Sequence, residues 1–442
     1  MKKRVLFTLT IVMIFNILFA KQSSESLDNW IVKQPDTITT DNIINFLNGE
    51  RGEGDILFGN EVIFNPSSTQ NISALKLDTN HFVVVFMDEQ NSYKGTGMVG
   101  TISGNTITYG SKFVFNAGMT FDISATVLDE THFAVAYRDG NNSFYGTTSI
   151  GTVSGNNITY GSKAVFNFGD NQFISIKNLT PTNFVIAYMD NSNSFYGTAI
   201  VGTLTGSTIS FGNEFVFNSG TTTYISVTNM GVSSFIISYK DEDNFGIGTS
   251  LVANVTGNTI SFGSSFIFNN ANTEEISTSP INNSSFVIAY TDYGNSRNGT
   301  AIVGTISGNT ISFGSEYVFN TFMTSYISVS MLNDDRIIIA YDDADITYTH
   351  FGSAIIGTLT ANTISFGSEY VFNPERVFWC STVNMATDNF IIAYMDEGYN
   401  HSGTSIIGQV ESQAPPSIPI SSWSIIFGIL LIGTFILIKW FK

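Results

Sequence analysis

One cysteine, Cys380, stands in 442 residues, so no internal disulfide is available and stability has to come from packing. Basic residues are scarce as well, 18 against 36 acidic ones. The resulting formal charge of −18 disfavours nucleic acid and anionic lipid as partners. Four histidines are too few and too scattered to suggest a catalytic arrangement: His81 and His132 sit in matching turns, His350 and His401 in later loops. A sialidase-like site needs several converging arginines, and Arg138, Arg297, Arg336 and Arg376 fall at different repeat positions. Long apolar runs are confined to the two ends. Strong helix formers are sparse between them.

What fills that middle is a repeat. Seven aromatic-Gly pairs, Phe58-Gly59, Tyr109-Gly110, Tyr160-Gly161, Phe211-Gly212, Phe262-Gly263, Phe313-Gly314 and Phe366-Gly367, are spaced 51 residues apart five times and 53 once. A Phe-Asn pair follows each after six residues. An aspartate follows 24 residues after that Phe, at Asp88, Asp139, Asp190, Asp241, Asp292, Asp343 and Asp396. A fixed period near 50 residues marks a stacked or circular repeat architecture.

The unit reads as four strands, a to d. Tyr224-Ile225-Ser226-Val227 (a) and Thr208-Ile209-Ser210-Phe211 (d) alternate, whereas Phe235-Ile236-Ile237-Ser238-Tyr239 (b) is apolar on both faces. Strand c starts near Ser250. Gly-Asn turns such as Gly104-Asn105 favour c-to-d hairpins through positive φ. A strand apolar on both faces needs cover on both. The expected fold is therefore all-β: a seven-bladed β-propeller of four-stranded antiparallel blades over residues 55–412. Strand d appears first, at 56–64, and strand c last, at 405–410, so the N-terminal strand is expected to close the last blade.

The ends give an address. Lys2, Lys3 and Arg4 precede the apolar run 5–19 and the small residue Ala20, the layout of a signal peptide over 1–20. Residues 21–54 read as an N-terminal arm. Within 413–442, Pro415, Pro416 and Pro419 lead into an apolar helix from Trp423 to Ile438 and then Lys439 and Lys442. Sixteen helical residues reach roughly 24 Å, short of a bilayer core of about 30 Å unless the flanks contribute. Ile418-Pro419-Ile420-Ser421-Ser422-Trp423, the apolar stretch and the basic end resemble the C-terminal sorting signals of the PEP-CTERM and IPTL-CTERM class. That resemblance implies an exosortase-like processing enzyme as a partner; the alternative is a plain transmembrane anchor with its lysines inside. Both imply export to the cell envelope or cell surface.

Chemical motifs are few. Gly95-Thr96-Gly97-Met98-Val99-Gly100 spells G-x-G-x-x-G, but a turn and a strand follow it instead of a helix. Asp190, with Asn191 and Asn193 close behind, offers oxygens that suit calcium or a sugar, and equally an Asx turn that fixes the b-to-c loop. Recurrence in every unit favours the loop-fixing role, and no metal or other cofactor is expected. Cys380, in the strand-a position of Ile327, reads as a buried small hydrophobe. Departures from the repeat cluster in the last two units, on the face of the b-to-c and d-to-a loops. There Tyr348, His350, Arg376, Trp379, Tyr399 and His401 form a candidate aromatic and polar site. Similar Phe-Gly, Val-Phe-Asn, Ile-Ala-Tyr and Gly-Thr repeats look like those of uncharacterised bacterial surface and phage-tail proteins. The expected role is a binding or adhesion module for extracellular carbohydrate or protein; a structural scaffold comes second and a carbohydrate-active enzyme third.

Overall fold

The computed structural model describes residues 55–344 and 349–411. The signal segment, the arm, Tyr348 and the C-terminal apolar stretch lie outside the described residues. Among the described residues no helix is long and apolar enough to cross a membrane. The helical content there is three single 3-10 turns, at Asn191–Asn193, Glu242–Asn244 and Tyr293–Asn295. All else is antiparallel strand and turn, in one compact unit spanning Ile56–Val410.

Its first repeat comprises β1 (Ile56–Phe58), β2 (Val62–Lys76), β3 (His81–Asp88), β4 (Lys94–Ser103), β5 (Thr106–Tyr109) and β6 (Phe113–Val127). The expected d-to-a loop is absent here. Instead β6 runs unbroken for 15 residues, pairing with β4 through Phe113 to Met119 and then with the next strand, His132–Asp139, from Thr120 onward. Strands d and a are one strand that changes sheets. The change occurs at register shifts around Asn116, where the side chain supplies the hydrogen bonds the ladder lacks. Its amide donates to Thr120 Oγ1 at 2.9 Å and to Asp139 Oδ1 at 3.1 Å. In the last unit the run is interrupted between Asn373 and Val377, where Pro374 has no N–H to give.

The Phe-Asn pair thus has a mechanical role. Phe115 packs over Gly95 and against the rings of Tyr137 (5.2 Å) and Tyr160 (5.6 Å), while Asn116 anchors the bulge. The glycine of the aromatic-Gly pair answers a different need. A Cβ on Gly212 would lie 2.7 Å from the carbonyl oxygen of Asn258, in the next hairpin.

Strand b is covered on both sides, as its sequence demands. Val185 and Ala187 pack with Val201, Phe235 and Ile237, whereas Phe184, Ile186 and Tyr188 pack with Ala134, Ala136 and Ile150. Each sheet is therefore sandwiched between the preceding and following ones. The long strands contact one another in series from β2 onward, through Phe113–Val127 and its successors to Val377–Ala386, which touches β2 again.

A line of serines follows the same circuit. Ser73, Ser124, Ser175, Ser226, Ser277 and Ser328 each accept a bond from a backbone N–H of the next unit, at 2.9–3.3 Å. Ser381 accepts from Ala74 N at 2.9 Å. The two ends of this compact unit are paired as well: Ile56–Phe58 with Val410–Gly408, and Val62 to Ser68 with Ser405 to Ser402.

Candidate functional site

Each position-a strand carries a bulge just before its serine. The bulged residues are Asn71, Asp122, Phe173, Tyr224, Glu275, Tyr326 and Trp379, all with φ between 49° and 53°. Left-handed backbone costs a residue with a Cβ roughly 1–2 kcal/mol. None of the seven is glycine. The strained conformation recurs in every unit while the side chain on it changes chemical type.

Two neighbouring columns vary with it. The preceding residue runs Gln70, Phe121, Gln172, Thr223, Glu274, Ser325 and Phe378; the one before the repeated aspartate runs Met87, Arg138, Met189, Lys240, Thr291, Asp342 and Met395. The bulge is what brings them together. Lys240 pairs across the strands with Thr223, and Asp342 with Ser325, just before each register shift.

Charged residues in these columns gather into three groups. Arg138 donates to Asp170 at 2.7 Å, lies 3.7 Å from Asp122 and covers the Phe144 ring at 4.5 Å. Lys240, only 5% exposed, sits 3.1 Å from Glu242 and 3.2 Å from Glu274, and Glu274 also accepts from Tyr293 Oη at 2.8 Å. Asp342, fully buried, has His350 Nδ1 at 2.8 Å and Arg376 Nε at 3.5 Å. Burial raises the Asp342 carboxyl, and the neighbouring His350 and Arg376 oppose that rise.

Between the last two groups stands Glu275. Its carboxylate accepts Tyr326 N at 3.1 Å, and burial pushes its pKa up to about 7, with the charge of Glu274 adding to the effect. Aromatic rings flank it in the neighbouring bulge positions. Tyr326 meets Phe378 at 5.1 Å and Trp379 at 5.8 Å, and Phe173 meets Tyr224 at 5.3 Å.

The six candidate residues separate. His350, Arg376 and Trp379 come together around Asp342, Tyr326 and Phe378, with the Arg376 guanidinium 4.5 Å over the Phe378 ring. His401 instead lines an adjoining cavity of about 740 Å³ with Ser68, Gln70 and Phe378, and its carbonyl accepts Thr69 N at 3.0 Å. Tyr399 stands 60% exposed. Cys380 is half-buried against the edge of a core cluster, more open than expected; burial and the nearby Asp342 and Glu275 push its thiol up. Sequence reasoning missed Asp122, Arg138, Glu275, Tyr326 and Asp342. Their signal was present, as three columns that change chemical type while the surrounding register stays constant.

The repeated aspartates sit behind this surface. Asp190 accepts Ser192 N at 3.0 Å, Asn193 N at 3.2 Å and the Asn167 amide at 3.0 Å. Asp241, Asp292, Asp343 and Asp396 accept from the equivalent asparagines, as do Asp88 and Asp139, which also pair with Lys112 and Lys163 at 2.9 and 3.1 Å. In the sixth unit Glu369 occupies the lysine position. Burial and that second carboxylate raise Asp343. Among the described residues no three His, Cys, Asp or Glu side chains are grouped to hold a metal.

No family model matches the chain, and no curated protein does. Solved structures do. A leech intramolecular trans-sialidase is similar at 8% identity and a TM-score of 0.46, over 76% of this chain and 72% of that one. A protein of unknown function from Dyadobacter fermentans is similar at 10% identity and a TM-score of 0.48, over 80% and 99%. Sqt1 from Chaetomium thermophilum, bound to the N-terminus of a ribosomal protein, is similar at 11% identity and a TM-score of 0.47, over 78% and 86%.

Proposed function

We propose that the chain is an exported, envelope-anchored β-propeller of seven blades, closed by its N-terminal strand, that binds carbohydrate at one mouth of its central channel. The single observation behind this reading is the circuit of seven left-handed, non-glycine residues. Support comes from Glu275, Tyr326 and Trp379 being neighbours in that circuit, with Asp342 close to Glu275. Carboxylates accept sugar hydroxyls and aromatic faces cover the C–H surface of a pyranose, so an acid set between aromatic pairs suits a neutral or basic glycan. Export and anchoring rest on the terminal segments 1–20 and 413–442, with sorting-signal processing as the route of attachment. Closure is supported by the pairing of Val62 to Ser68 with Ser405 to Ser402.

A glycan array probed with the full chain tests the ligand class. Tyr326→Ala and Trp379→Ala should each weaken the best binder at least tenfold while leaving a cooperative melt. Undiminished binding by both variants would refute this site.

A further inference from the structure

Four residues beyond its bulge, the strand Ala164–Asn178 reaches Lys177, roughly 13 Å further along an extended chain. Lys177 lines a second cavity, of about 630 Å³, formed where the position-a strands end. Thr228, Asn229, Thr278, Ser279 and Ser330 line it as well. None of its lining residues is acidic.

Four other cations have an acid beside them, Lys112 with Asp88, Lys163 with Asp139, Lys240 with Glu274 and Arg138 with Asp170, at 2.7–3.2 Å, whereas the lining of this cavity offers Lys177 none. The repeat does not call for a lysine here either. The equivalent residues are Leu75, Thr126, Thr228, Ser279, Ser330 and Val383, four of them short hydroxyls and none of them charged. Lys177 is half-buried, and burial alone pushes its ammonium below the ordinary lysine range. A sheltered ammonium without a counter-charge is costly, and a bound anion removes much of that cost. Hydroxyls beside it supply further donors. Ser279 Oγ accepts Met331 N at 3.1 Å, which leaves its own proton to give.

We propose that this cavity is a binding site for a small molecule bearing a carboxylate or phosphate group, with Lys177 as the counter-ion and Ser279 as a hydrogen-bond donor. It lies apart from the aromatic and acidic mouth, so either site can exist without the other. A volume of about 630 Å³ is within the range of small-molecule sites and exceeds what a bare anion needs. The anionic group is therefore expected to carry a larger polar body.

Calorimetric titration of the full chain with inorganic phosphate and, separately, acetate, at constant ionic strength set by chloride, is the test. Saturable binding of one or both is expected, and the anion that binds identifies the group. Lys177→Met should weaken it at least tenfold. Lys177→Thr, which restores the residue found at Thr126 and Thr228, should do the same while melting at or above the wild-type temperature in chloride. No saturable binding of either anion, or wild-type affinity retained by both variants, would overturn the assignment.

Discussion

Replacing Phe64 by alanine asks whether the first strand does the same mechanical work as its counterparts inside the repeat. Phe64 is 4% exposed, packs over Gly403 of the last strand and meets the rings of Phe86 at 5.1 Å and Tyr109 at 5.5 Å. Phe166 is its equivalent two units on. It too is 4% exposed, over Gly146, with Tyr188 at 5.1 Å and Phe211 at 6.1 Å. Truncating a buried phenylalanine costs about 3–5 kcal/mol in lost transfer energy and cavity formation. Because the two environments match, Phe64→Ala and Phe166→Ala should both fall in that range and differ by less than about 1 kcal/mol. Against a typical stability of about 5–15 kcal/mol, such losses leave both variants folded and measurable. Urea unfolding followed by circular dichroism reads both, with the denaturant slope checked for a shared transition. If Phe64→Ala costs under about 1 kcal/mol while Phe166→Ala costs the full amount, the N-terminal strand does not secure the last sheet. The closure argument would then fail.

Two further outcomes follow from local geometry. The Glu275 carboxyl has its pKa raised to about 7, above its ordinary 4.5, so the folded chain holds a proton the unfolded chain releases. This stabilisation is complete below about pH 4.5 and is lost as the pH rises through 7. Glu275→Gln should match wild type near pH 4.5 and exceed it by on the order of 1–3 kcal/mol at pH 8 in urea midpoints; lower stability at pH 8 contradicts the reading. In the c-to-d hairpins Gly104, Gly155, Gly206, Gly257 and Gly308 have φ of 58–61°, and Ala361 holds the same place at 55°. Ala361→Gly should therefore raise the stability by about 1 kcal/mol, and a lower melting temperature would show that the turn is not strained.

Much of the strand pattern was legible because it is local. Phe184 to Tyr188 reads as a doubly covered strand from composition alone, and the structure buries all five residues. The d-to-a crossing was not legible. Asn116 to Thr120 has the polar, small-residue look of a turn, yet those polar groups serve to replace ladder hydrogen bonds inside a continuous strand. The site was half legible. Trp379, His350 and Arg376 stood out as departures in the last two units, whereas Glu275 and Asp122 are hidden inside regular ones. Strict alternation would send Tyr224 and Ser226 to one face and Ile225 to the other. A left-handed residue at Tyr224 breaks that alternation, and no pattern of apolar residues announces it.

The sequence by itself determined the sevenfold repeat, the doubly covered strand of each unit and the antiparallel hairpins, since each depends on residues within a few positions of one another. Only the tertiary structure decided which columns share a surface. Glu275, Tyr326 and Trp379 lie some fifty residues apart in the chain, and they become neighbours because each long strand leaves one sheet, bulges and enters the next. The same holds for Val62 to Ser68 and the final strand. Their pairing depends on every intervening unit stacking in turn, a sum of packing steps that no local pattern contains.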